Sequence, residues 1–148
     1  MSLEARITND LKEAMKNKDQ AALRSVRAIK AAILLFKTDG SGNELDEDNE
    51  IKIVQKLVKQ RQDSLDIYTK QGREDLAVTE REEIAELLKY LPAQMSEDEL
   101  KSSLQAIITE TGATSAKDMG KVIGLANQRL AGKAEGKVIA AMVKELLS

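Results

Sequence analysis

The chain has 148 residues, 42% hydrophobic and 2% aromatic, with 23 bases against 25 acids and a net charge of −2. That length allows one medium domain or two small ones with an adequate core. The absence of cysteine excludes disulfides, thiol chemistry and thiolate-bound zinc, and the absence of histidine removes the usual general base and the commonest metal ligand. The near-balanced charge also excludes a general nucleic-acid coat, which needs a strongly basic surface.

One proline, few aromatics and abundant Ala, Leu, Lys and Glu predict an all-α protein. A first helix opens at Ser2 with Leu3, Ile7, Leu11 and Met15 as its apolar stripe and ends near "NKD". Asp19 caps a second helix, with Ala22, Val26, Ile29, Ile33 and Phe36 inward. The Gly/Asp/Asn-rich "TDGSGNELDEDN" is a loop. A long helix follows from about Asp46 to Lys70, with Val54, Leu57, Val58, Leu65 and Tyr68 on one side; Gly72 breaks it and a further helix runs to Tyr90. Pro92 disfavours helix at the residue before it, so "YLPAQMSEDEL" marks a boundary. Ser96 and Glu99 form a capping box for a helix with Leu100, Leu104, Ile107 and Ile108 inward, ended by Gly112. Ser115 and Asp118 carry a similar signature and open "SAKDMGKVIGLANQRLA", which Gly132 stops before a last helix to Leu147. The expected layout is an N-terminal domain of about four helices over 1–92, a linker, and a C-terminal three-helix bundle over 96–148.

Charge changes sign by segment. Thr38 to Glu50 holds Asp39, Glu44, Asp46, Glu47, Asp48 and Glu50 and no base, whereas Lys52, Lys56 and Lys59 form a basic stripe on the long helix. The acidic run lacks the alternating ligands and central glycine of a calcium loop and reads as a dipole-matched helix start, so no metal is expected. Arg61 falls among Val54, Leu57, Leu65 and Tyr68 on the helical wheel, so it must snorkel or pair with Glu82, Glu83 or Glu86. Arg24 and Arg27 lie away from the core stripe of the second helix.

Half of the eight glycines, Gly120, Gly124, Gly132 and Gly136, fall in the last third. In "GKAEGK" the glycines are four apart and Val138 stands where a phosphate loop needs a hydroxyl, so a nucleotide site of that kind is excluded. At about 100° per residue, Met119, Val122, Ile123, Ala126 and Leu130 form the apolar side of the penultimate helix, with Lys117, Lys121, Gly124 and Gln128 opposite and Gly120 at the edge. Lys137 and Lys144 share a side of the last helix, and Lys133 and Lys137 flank its start, where free backbone amides favour an anion. A basic face with missing side chains suits the sugar-phosphate backbone of a folded RNA.

The segments "VKQRQDSLDIYTKQGREDLAVTEREEIAELLKYLPAQMSEDEL" and "DMGKVIGLANQRLAGKAEGKVIAAMVKELL" resemble the YqeY-like family over essentially the whole chain, and the last third is similar to the tail domain of the B subunit of the glutamyl-tRNA(Gln) amidotransferase. The resemblance implies a two-part helical fold and, for the tail, contact with tRNA. The family label implies carbon–nitrogen ligase activity with glutamine as amido donor, but the chain lacks both the amidase Ser-Ser-Lys constellation and the kinase-like body of the amidotransferase. The shared motif carries Lys121, Gly124, Gly132, Lys133, Gly136 and Lys137 over as RNA-facing positions, joined by Lys117 and Lys144 from the wheel.

The expectation is a non-catalytic tRNA-binding or tRNA-associated accessory protein, without cofactor. A protein-interaction module using the tail or the Lys52 stripe is the alternative, and participation in a glutamine-dependent ligase complex is a third reading. The acid-bearing amphipathic "MSLEARITNDLKEAMKN" is unlike a signal or transit peptide and no apolar run is long enough to span a bilayer, so no membrane partner and a cytoplasmic location are expected.

Overall fold

A computed structural model describes all residues, 1–148, and it is helical throughout, without strands. The chain divides into two compact units, Met1–Leu91 and Pro92–Ser148.

In the first unit, α1 (Leu3–Asn17) starts where Ser2 Oγ accepts from Ala5 N–H and ends at Lys18, a left-handed non-glycine residue with φ 54°. Asp19 then caps α2 (Gln20–Lys37) by accepting from Ala22 N–H at 3.1 Å. So short a link folds α1 back on α2 as a helical hairpin. Asp46 caps α3 (Glu47–Lys70), whose first turn carries Glu47, Asp48 and Glu50 on the positive end of the helix dipole. Gly72, at φ 68°, allows the reversal into α4 (Glu74–Leu88).

Leu3, Ile7, Val26, Ile29, Ile33, Val54 and Leu87 make the core. Two expected stripes need correction. Met15 is 58% exposed and Ala14 is buried in its stead. Steps of four residues advance about 40° each, so three of them carry Met15 roughly 120° away from Leu3, while Ala14 returns to within about 20°. In α2, Leu23 and Ser25 are buried whereas Ala22 and Phe36 are half-buried; Ser25 escapes desolvation by donating to Ala21 O at 2.9 Å. On α3 only Val54 is fully buried, and Leu57, Val58, Leu65 and Tyr68 are half-buried.

Charged groups tie these helices together. Arg24 reaches Glu82 at 3.0 Å and Glu83 at 3.2 Å. Arg61 Nε lies 3.4 Å from the other oxygen of Glu83 without hydrogen-bond alignment, so this buried nitrogen has a charge contact but no hydrogen bond. One α4 carboxylate thus faces guanidinia from both α2 and α3. Glu80, close by, has its carboxyl raised above the ordinary range by burial and then by the negative charge of Glu83. At the other end Arg6 lies 4.7 Å from the Tyr90 ring centroid and donates to Lys89 O, while the Tyr90 hydroxyl donates to Asp10. Burial first, then the Asp10 carboxylate, push the Tyr90 phenol well above its usual range.

In the second unit the Ser96–Glu99 capping box is complete and opens α5 (Glu97–Thr111), and Gly112 ends it at φ 70°. The Ser115 signature is a correction. Its side chain caps nothing; instead Asp118 accepts from Thr114 N–H at 3.0 Å, residues Ala116–Asp118 form a 3-10 turn, and α6 (Met119–Arg129) begins only after it. The end of α6 also lies three residues before Gly132, which at φ 79° shapes the turn into α7 (Gly136–Leu147). The core comprises Leu100, Leu104, Ile107, Val122, Ala126, Leu130, Ile139, Met142, Val143 and Leu147.

The expected linker is not a free strand of chain. Gln94 Nε2 donates to Gly132 O at 2.6 Å and to Pro92 O at 2.9 Å, and Met95 N–H donates to Lys133 O at 2.9 Å. Residues 92–95 are therefore fastened to the α6–α7 turn of their own unit.

Candidate functional site

The outward side of α6 carries Lys121, Gly124 and Gln128, with Lys117 immediately before the helix, and all four are exposed. Gly120 is exposed as well. A methyl group at Gly120 or Gly124 would meet nothing within 4 Å, so neither glycine is required by packing within the chain. Both have ordinary helical backbone, where glycine costs about 1 kcal/mol relative to alanine. Gly120→Ala and Gly124→Ala are each expected to raise the unfolding free energy of this unit by about 0.5–1 kcal/mol. Urea denaturation followed by circular dichroism measures this, and a loss of stability would show that the open space is used.

The turn brings the start of α7 beside α6 at Asn127. A methyl group at Gly136 would stand 3.8 Å from Asn127 Oδ1, so the Asn127 side chain of α6 lies against the first turn of α7. Sequence reasoning missed Asn127; its position three residues after Gly124 was the signal available. Glu135, at the N-cap of α7, makes no side-chain hydrogen bond to the helix, so no side chain caps the first-turn amides. Lys133, Lys137 and Lys144 are exposed. Gly132 is the exception among the expected RNA-facing residues: it is buried, and its carbonyl is engaged by Gln94. Its place is structural, because the turn needs its positive φ.

Charge is unevenly placed in this unit: its seven bases balance seven acids, but Glu97, Asp98, Glu99 and Glu110 sit with Lys101 on α5, leaving six bases against Asp118 and Glu135 between Thr111 and Lys144. Its one ion pair joins Arg129 to Glu110, with Arg129 Nη2 donating at 2.7 Å, and the pairing holds the Glu110 carboxyl below its usual range. Lys117, Lys121, Lys133, Lys137 and Lys144 have no such partner. In the first unit Lys52, Lys56 and Lys59 are likewise exposed and unpaired on α3, and Arg24, unlike Arg27, is consumed by Glu82 and Glu83. The arrangement leaves these ammonium groups as free hydrogen-bond donors and positive charges at the surface. No group of three or more acidic side chains is placed to ligate a metal, and no helix is long and apolar enough to cross a membrane.

Comparison with known proteins matches residues 4–147 to a family model described as Yqey-like protein. Similar proteins are named "Altered inheritance of mitochondria protein 41, mitochondrial". The one from Lachancea thermotolerans is 33% identical over 72% of this chain and 58% of its own length. That from Eremothecium gossypii is 33% identical over 74% of this chain and 61% of its own, and that from Clavispora lusitaniae 32% over 93% and 82%. The chain thus spans about three-fifths of the first two. These names overturn the expectation of a purely cytoplasmic location, since the relatives are mitochondrial proteins. Targeting segments are removable extensions outside the folded part, so the character of residues 1–17 does not decide the compartment. With nearly its full length matched, the chain belongs to the YqeY-like family.

Proposed function

We propose that this chain is a non-catalytic RNA-binding accessory protein whose 92–148 unit takes the backbone of a folded tRNA. The observation that carries the reading is that Lys117, Lys121, Lys133, Lys137 and Lys144 are exposed without an ion-pair partner, while Gly120 and Gly124 on α6 open onto empty space. Unpaired ammonium groups are free to neutralise phosphates, and side-chain-poor helix surface lets a backbone approach closely. The similarity of the last third to the amidotransferase tail domain points the same way. Contacts to phosphate alone give modest affinity that depends steeply on salt.

Titration of total tRNA into the protein, followed by fluorescence anisotropy, tests this. Neutralising about five phosphates predicts an affinity loss of roughly 100- to 500-fold between about 50 and 200 mM salt. Absence of binding at the lower salt, or binding indifferent to salt, removes the proposal.

A further inference from the structure

The side chains by which proteins read bases are either missing from the 92–148 unit or already engaged there. Single-stranded RNA is held by stacking its unpaired bases on aromatic rings or guanidinium planes, and guanine edges are read by the two-pronged fork of arginine. Phe36, Tyr68 and Tyr90 are the aromatic residues of the chain and all lie in the first unit; tryptophan and histidine do not occur. Arg129 is the single guanidinium of the second unit, and its two Nη atoms each donate to a different oxygen of Glu110. Its fork is therefore closed to a base edge, and one guanidinium face is no platform for successive bases.

Beside the unpaired lysines, α6 exposes two neutral amides, Asn127 and Gln128. Asn127 lies against the first turn of α7, so Gln128 is the amide on the lysine side. It follows Lys121 by seven positions, about 10 Å along the same side of the helix, and Gly124 between them adds no side chain to the surface. An amide both donates and accepts hydrogen bonds, as does the ribose 2′-hydroxyl. The wide, shallow minor groove of A-form RNA presents 2′-hydroxyls close to the phosphates, so a stripe of lysine and amide can follow it without reading a base. Building on the reading that this unit takes folded tRNA, we propose that it grips a double-helical stem across the minor groove by shape, with Gln128 sensing the 2′-hydroxyl and so telling RNA from DNA.

Fluorescence anisotropy on the full chain, at about 50 mM salt, compares total tRNA, an RNA duplex of about 16 base pairs, the DNA duplex of the same sequence and an unpaired RNA strand. The RNA duplex is expected to bind within about tenfold of tRNA, and a duplex of scrambled sequence within about threefold of the first. The DNA duplex should bind at least about fivefold more weakly despite its equal phosphate count, and the unpaired strand more weakly than the RNA duplex. Gln128→Ala keeps the helix, since alanine is the better helix former, and should reduce the RNA–DNA ratio to below about twofold without changing the salt slope, because no charge is lost. Failure to bind tRNA removes the underlying reading and this proposal together. Binding of tRNA with no preference for the RNA duplex over DNA or over the single strand overturns the proposal alone. So does a strong dependence on duplex sequence, or an RNA preference that Gln128→Ala leaves intact.

Discussion

Changing Lys121, Lys133 and Lys137 together to Glu is expected to weaken tRNA binding by at least about 100-fold at roughly 100 mM salt, through three lost phosphate contacts and the repulsion that replaces them. Folding should be untouched, because all three side chains are exposed and none is in an ion pair. The control is the matching change of Lys52, Lys56 and Lys59. It alters the net charge by the same amount, so a long-range field effect would weaken both variants alike, whereas a local landing place weakens only the first. The α3 stripe is expected to tolerate the change within about threefold, as lysines on a solvated helix side do. Equal loss in the two variants would refute the assignment of binding to the second unit.

Glu83→Gln is expected to destabilise the 1–91 unit by about 2–3 kcal/mol, near the low end for removing one partner from a buried ionic cluster. The reason is geometric. Glu83 is 13% exposed and faces Arg24 and Arg61, and the Arg61 side chain is itself only 20% exposed, with a buried Nε whose sole counter-charge contact is Glu83 and which makes no hydrogen bond. An amide oxygen keeps one contact but cannot neutralise two guanidinia. Both tyrosines lie in this unit, so tyrosine fluorescence during urea unfolding reads it without interference from the second. Glu80→Gln supplies the opposite sign. Because burial raises its folded-state pKa, ionising Glu80 costs stability: the stabilising contribution of its protonated form is complete below the unfolded carboxylate range and is lost as pH rises through the raised value. At neutral pH the Glu80 variant is therefore expected to be unchanged or slightly more stable. A Glu83 variant as stable as the parent would show that Arg61 finds solvent instead.

Helix class and several helix starts were legible because they are written locally. Asp19, Asp46 and Ser96 each offer a side-chain oxygen to an amide three residues on, and a single sequence displays that spacing. The pairing of Arg61 with an α4 carboxylate was legible too, since a charge on an apolar side of a helix must find a counter-charge, although only the packing selected Glu83 from three candidates. What escaped was non-local or cumulative. A four-residue repeat drifts around the helix, so Met15 was misplaced while Ala14, a poor hydrophobic marker, held the buried position. Ser115 and Asp118 match a capping pattern, but the acid turns back to Thr114. Gly132 looked like its neighbouring glycines, and only the return of Gln94 across 38 residues of sequence buries it. Asn127 became visible only when the turn set Gly136 beside it.

The fastening of Gln94 and Met95 onto the carbonyls of Gly132 and Lys133 decides where the second unit begins as an autonomous piece. A fragment cut at Ser96 would keep every helix yet strip two acceptors of their donors and unclasp the bend that carries Lys133. Cutting ahead of Pro92 retains the clasp, so the proline is the first residue of that piece and no part of a tether.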